Sequence, residues 1–227
     1  MRVRYIFHSG FLVETAASYY LFDYYQGNLP RLTGAKPIVV FSSHCHQDHY
    51  NPQVFSILQD MGMENILAVL AKDISPRKYP RDIEVIKARG CQNYLLPGGE
   101  KLETLISTDS GVAYLLTTDQ GTIYHAGDLN DWTWKEESSR QNSQMRGNYR
   151  HQIDSIKGRH IDIAFLPLDP RQEENYADGI LYFLNKTDTV LAYPMHYWGQ
   201  PQIIDKFLQE YPAYKNIVQY TENFKEE

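Results

Sequence analysis

Residues 44–49 read HCHQDH, placing three of the chain's eight histidines and one aspartate in six consecutive positions, directly after the apolar run Pro37–Phe41. Imidazole nitrogen and carboxylate oxygen are ordinary ligands of zinc, iron and manganese. In an extended backbone His44, His46 and Asp48 would share one face, and a tight turn after the strand would gather His49 as well. Four such groups exceed what one ion readily takes from six residues, so the spacing points to two ions sharing one loop. The plainer alternative is a chance surface run of histidines, but such runs rarely follow a buried-looking strand. Cys45 would point away from its neighbours in a strand and reads as a small packed side chain rather than a ligand.

The elements that must hold this loop are legible around it. Strands are expected at VRYIFHSG, FLVET, YYLFD and PIVVFSS, followed by a helix in PQVFSILQDM, whose apolar residues recur at helical spacing. Short strands follow at ILAVLA, QNYLLP, KLETLIST, GVAYLLTTD and GTIYHAGD, with DQG marking a hairpin between the last two. The polar stretch from Trp132 to Gly158 reads as loop and helix. After it come a strand IDIAFLPLD, a helix around NYADGILYFLN, a strand TVLAYPMH and a helix PQIIDKFLQEYP. Sheets covered by helices would bury both sets.

Composition narrows the class. At 227 residues, with 42% hydrophobic and 22% charged, the chain fits one soluble globular domain over 1–227. A net charge of -6 argues against nucleic acid or anionic lipid as partners. No apolar run approaches the roughly 20 residues of a membrane span, and the N-terminus lacks the apolar core of a signal peptide. Two cysteines are too few for a disulfide framework. A cytoplasmic protein is expected.

HCHQDH resembles the HxHxDH motif of the metallo-β-lactamase-fold hydrolases. FHSGFLVET followed by YLFDYY is similar to that family's opening hairpin, whose second strand ends in an aspartate, here Asp23. TIYHAGDLN resembles its Gly-Asp motif, and AYPMHYWG its last histidine motif. The motifs come in the family's order and span nearly the whole chain. The resemblance implies an α/β fold, the four-layer αββα metallo-β-lactamase-like sandwich, and is nearest to the compact branch that includes ascorbate-6-phosphate lactonase. It further implies two divalent transition metals, zinc or manganese, with iron also fitting the donors. His44, His46 and Asp109 would hold the first, Asp48, His49 and His196 the second, and Asp128 would bridge them. Asp48 is also the catalytic candidate, orienting the nucleophile or carrying its proton.

Asp109 marks a departure. The family places a histidine between the HxHxDH loop and the Gly-Asp motif, but none occurs here between His49 and His125. Asp109, in STDSG, stands where it would be expected. It is read either as a carboxylate ligand, which would tilt the site toward manganese or iron, or as a turn residue. His125 is either an orienting group or an ordinary buried histidine. His8, Trp132, Trp134 and Arg171 are candidates for lining a substrate pocket, Arg171 for an anionic group. Alternatively, the two tryptophans anchor the following helix, and the other arginines from Arg140 to Arg159 form a solvated face.

A small-molecule hydrolase is the leading expectation, acting on an ester, lactone, thioester or phosphoester through metal-activated water. A nuclease or tRNA-processing enzyme on the same fold is the second, disfavoured by the absence of a basic cluster. A non-catalytic metal-binding protein is the third. Neither substrate nor oligomeric state is legible.

Overall fold

A computed structural model of the chain describes residues 1–221. These fall into two compact units, 1–89 and 90–221. Each is built on a six-stranded mixed sheet, with two antiparallel and three parallel pairings in the first and three antiparallel and two parallel in the second.

In the first unit the strands are β1 (Arg2–Phe7), β2 (Gly10–Glu14), β3 (Tyr19–Phe22), β4 (Ile38–Ser42), β5 (Ile66–Ala71) and β6 (Glu84–Ala88), ordered in the sheet as in the sequence. β1 to β3 form an antiparallel meander, and β3 to β6 run parallel. β4 is buried along its full length, as a strand covered on both faces must be, which explains its unbroken IVVF rather than an alternating pattern. Helix α1 (Gln53–Asp60) buries Val54, Phe55 and Leu58, one face at helical spacing. β6 was not expected from the sequence: its charged Glu84 and Lys87 suit the exposed side of an edge strand.

The β1–β2 turn is His8–Ser9, with Phe7 paired to Gly10. His8 has φ 53°, in the left-handed region, which costs a non-glycine residue about 1–2 kcal/mol. Gly10 is required by close approach: a Cβ there would lie 2.9 Å from the Phe7 carbonyl oxygen and 3.2 Å from that of Asp23. The turn is therefore packed against the end of β3.

The second unit contains β7 (Asn93–Leu95), β8 (Lys101–Ile106), β9 (Val112–Thr118), β10 (Gly121–His125), β11 (His160–Pro167) and β12 (Asp188–Met195), in sheet order β12-β11-β10-β9-β8-β7. The β9–β10 hairpin closes with Thr118 opposite Gly121, as the DQG signal implied. β10, β11 and β12 run parallel, so His125, Pro167 and Met195 lie at one end of the sheet. Helices α2 (Ser139–Asp154), α3 (Asp178–Lys186) and α4 (Gln202–Glu210) complete the unit. A capping box between Ser138 and Gln141 starts α2. No helix among the described residues is long and apolar enough to cross a membrane.

Candidate metal centre

The first unit presents His8 and the 44–49 loop. β4 stops at Ser42, and the chain turns so tightly that the N–H groups of His49 and Tyr50 both donate to the His46 carbonyl, at 3.2 and 3.1 Å. The backbone N–H of Cys45 donates to Asp73 at 3.1 Å, pinning the loop from outside. Partial burial, then Asp73, push the Cys45 thiol upward, opposite to what a metal thiolate needs.

Asp23 organises the loop from within. It is fully buried and has φ 42°. Its carboxylate accepts from Ser43 N and Ser43 Oγ, both at 2.6 Å, and lies 2.7 Å from His49 Nδ1. Ser43 Oγ in turn lies 3.0 Å from His44 Nδ1. Both rings are therefore held by Nδ1, which makes Nε2 the nitrogen to offer a cation. One ligand atom from His44 lies within 4.8 Å of one from His46, and the same holds among His8, Asp48 and His49. Burial alone would raise the Asp48 carboxyl, but His8 and then His49 outweigh it and hold it well below the usual carboxylate range.

The second unit presents Asp109, Asp128 and His196. Beyond β10, His125 Nδ1 accepts from the Gly127 N–H at 3.1 Å, closing the turn that carries Asp128. Trp132 Nε1 donates to the Asp128 carbonyl at 2.9 Å. Thr108 Oγ1 donates to the Asn130 carbonyl at 2.8 Å and accepts from its N–H at 3.1 Å. Thr108 thereby ties the Asp109 loop to the Asp128 loop, and carboxylate oxygens of the two aspartates lie within 4.8 Å. His196, just past β12, has φ 63°. Its Nδ1 lies 2.9 Å from Asp169 Oδ2 and its Nε2 3.5 Å from Asp128 Oδ1. Asp169 also accepts from Arg171 Nε at 3.0 Å and Trp198 Nε1 at 3.2 Å. Burial opposes its ionisation, yet His196 and then Arg171 hold it well below the usual range.

The donors fit divalent transition metals. All are imidazole or carboxylate, and three of the histidines have Nδ1 occupied by a neighbour. Asp128 lies near both Asp109 and His196. Sequence reasoning did not find Asp169, Ser43 or Thr108. Of the substrate candidates, Trp132 is buried, stacking on Trp134 at 5.7 Å and lying 5.6 Å from the His196 ring. Trp134 is half-buried and Trp198 exposed. The Arg171 guanidinium lies 5.5 and 4.5 Å from their ring centroids, with one edge committed to Asp169.

Residues 2–144 match the family described as Beta-lactamase superfamily domain, and the chain belongs to it. A curated relative from Opitutus terrae, named UPF0173 metal-dependent hydrolase, is 27% identical over 224 residues, covering 89% of this chain and 87% of its own. Igni18, a metallo hydrolase from Ignicoccus hospitalis, shares the fold at TM-score 0.63 and 17% identity, covering 98% of this chain and 95% of its own. A Parabacteroides distasonis protein does so at 0.62 and 18%, covering 96% and 90%. The α/β sandwich class expected from the sequence is the fold of these proteins.

Proposed function

We propose that the chain is a metal-dependent hydrolase in which the donors of the two units serve one dinuclear centre, as the family's motif order implies. His44, His46 and Asp109 would hold one ion, Asp48, His49 and His196 the other, with Asp128 between them. The observation that carries this reading is the shared anchoring of His44, His49 and His196 through Nδ1 by Ser43, Asp23 and Asp169. Three imidazoles on two separate segments are set to the same tautomer, which is costly to arrange without a common use.

Bound there, divalent ions would supply hydroxide near neutral pH and Lewis acidity toward a carbonyl or phosphoryl oxygen. Asp48 would orient the attacking water and take its proton. Asp169 would keep His196 in position as charge develops. Trp134, Trp198 and the outer edge of Arg171 would border the substrate, a small ester, lactone, thioester or phosphoester. A sugar-phosphate lactone, the substrate type of the compact branch the sequence resembles, is one candidate, and Arg171 suits its phosphate. We read the protein as a cytoplasmic enzyme acting on small molecules.

The test is a screen of lactones, thioesters and phosphodiesters with zinc- and manganese-loaded protein, run beside Asp128→Asn. Turnover of one class that falls at least about 100-fold in Asp128→Asn supports the reading. No turnover with either metal would favour a non-catalytic metal-binding protein.

A further inference from the structure

The ligand set implied by the sequence resemblance leaves His8 out, and its position in a hairpin turn suggested at most a pocket wall. Its surroundings argue for more. The side chain is only 3% exposed, and Nε2 lies 3.4 Å from Asp48 Oδ2. That is longer than the 2.7–3.2 Å of an ordinary N–H···O hydrogen bond. It falls within the roughly 3.0–3.6 Å that separates neighbouring donors standing about 2.1 Å from one five-coordinate ion. His49 Nε2 lies 3.8 Å from the same Oδ2 atom, and the His8 and His49 rings stand edge to face at 5.7 Å and 81°. The three donor atoms lie within 4.8 Å of one another.

The backbone is arranged to keep His8 there. Histidine occupies φ 53°, where glycine would cost less. Gly10 lets the turn close on the Asp23 carbonyl, and Asp23 is the residue that orients His49. One short piece of chain thus fixes two imidazoles about one carboxylate, and the turn strain is explained if the first imidazole has a specific task.

We propose that His8 is a direct ligand of the second metal position, completing a His8–Asp48–His49 set within the first unit. The inference rests on the dinuclear reading above. It implies that this unit holds a cation with three of its own donors.

The test is titration of the metal-free protein with cobalt(II), followed through the visible d–d bands, which report ligand type and coordination number. His8→Asn keeps a residue tolerant of the left-handed backbone, and His8→Gln keeps a hydrogen-bond donor long enough to reach Asp48. Circular dichroism of each metal-free variant checks folding. The wild-type protein is expected to take two equivalents. Both variants should bind one of these at least about tenfold more weakly, the lower end of what loss of even an outer-sphere partner costs, with changed bands for that equivalent. Wild-type affinity and bands in both folded variants would overturn the role of His8 while leaving the dinuclear reading standing. A single wild-type equivalent sensitive to His8 would overturn the dinuclear reading and keep His8 as a ligand. A single insensitive equivalent, or no uptake, would overturn both.

Discussion

Asp169 Oδ2 lies 2.9 Å from His196 Nδ1, and the same carboxylate receives Arg171 and the Trp198 indole. His196 and Trp198 both adopt left-handed backbone angles, φ 63° and 50°, so two strained residues converge on one buried acceptor. The arrangement fixes the His196 tautomer and orientation from behind.

Asp169→Asn should leave the protein folded but weaken metal binding at the His196 position by about 10–100-fold, the usual effect of removing an outer carboxylate. Asp23→Asn should act in the same way through His49. Competition with a chromophoric chelator measures both. Wild-type affinity in Asp169→Asn would show that Asp169 does not position a metal ligand.

Asp109 is tied to the Asp128 loop by Thr108, an arrangement unnecessary for a plain turn. Asp109→Asn keeps the turn hydrogen bonds but not the anionic donor, so one equivalent of metal should be lost or bound much more weakly. Elemental analysis at matched metal and pH reads this. Unchanged stoichiometry would reduce Asp109 to a turn residue.

Gly179, at the start of α3, faces the Gly-Asp loop so closely that an added Cβ would lie 1.7 Å from Asn130 Oδ1. Gly179→Ala must displace Asn130, with a destabilisation of about 1–3 kcal/mol, typical of overpacking. Chemical denaturation should show it as a lower midpoint. A neutral result would mean that the Asn130 side chain moves aside freely.

His160 gives a pH dependence away from the metal donors. Its hydrogen bond to Asp188, helped by Asp162, raises its pKa above the ordinary histidine value. A raised folded pKa stabilises most below the unfolded value, about 6.5, and the gain is lost as pH rises through the folded pKa. Metal-free protein should therefore lose a small increment of stability on going from pH 6 to 8, less at high salt. His160→Gln should lack that step; an identical pH profile in the variant would refute the assignment.

Much of this was legible because the chemistry is concentrated in sequence. Residues 44–49 lie on one turn, and β4 before them is so continuously apolar that its burial could be read directly. The parallel strands β11 and β12 were equally clear. β6 escaped because edge strands tolerate the charges of DIEVIK. Asp169 escaped because LDPR reads as a local turn, which it also is: its Oδ1 accepts from the Arg171 N–H at 2.9 Å. Nothing local reveals that His196 arrives 27 residues later at the other oxygen. Ser43 and Thr108 are similarly ordinary in sequence, and only the fold shows which loops they join. The sequence singled out His8 but could not place it, since a two-residue turn gives no sign of what its side chain faces.

Metal content per chain tests the central claim most directly. Protein purified without chelator, then saturated with zinc or manganese and desalted, should carry two ions per chain by elemental analysis. Asp128→Asn should carry fewer, since in the proposed centre both positions share that carboxylate. Chelation should lower the melting temperature, because the ions tie separate segments together. A wild-type protein that holds no transition metal after saturation, and melts at the same temperature with and without chelator, would contradict the account.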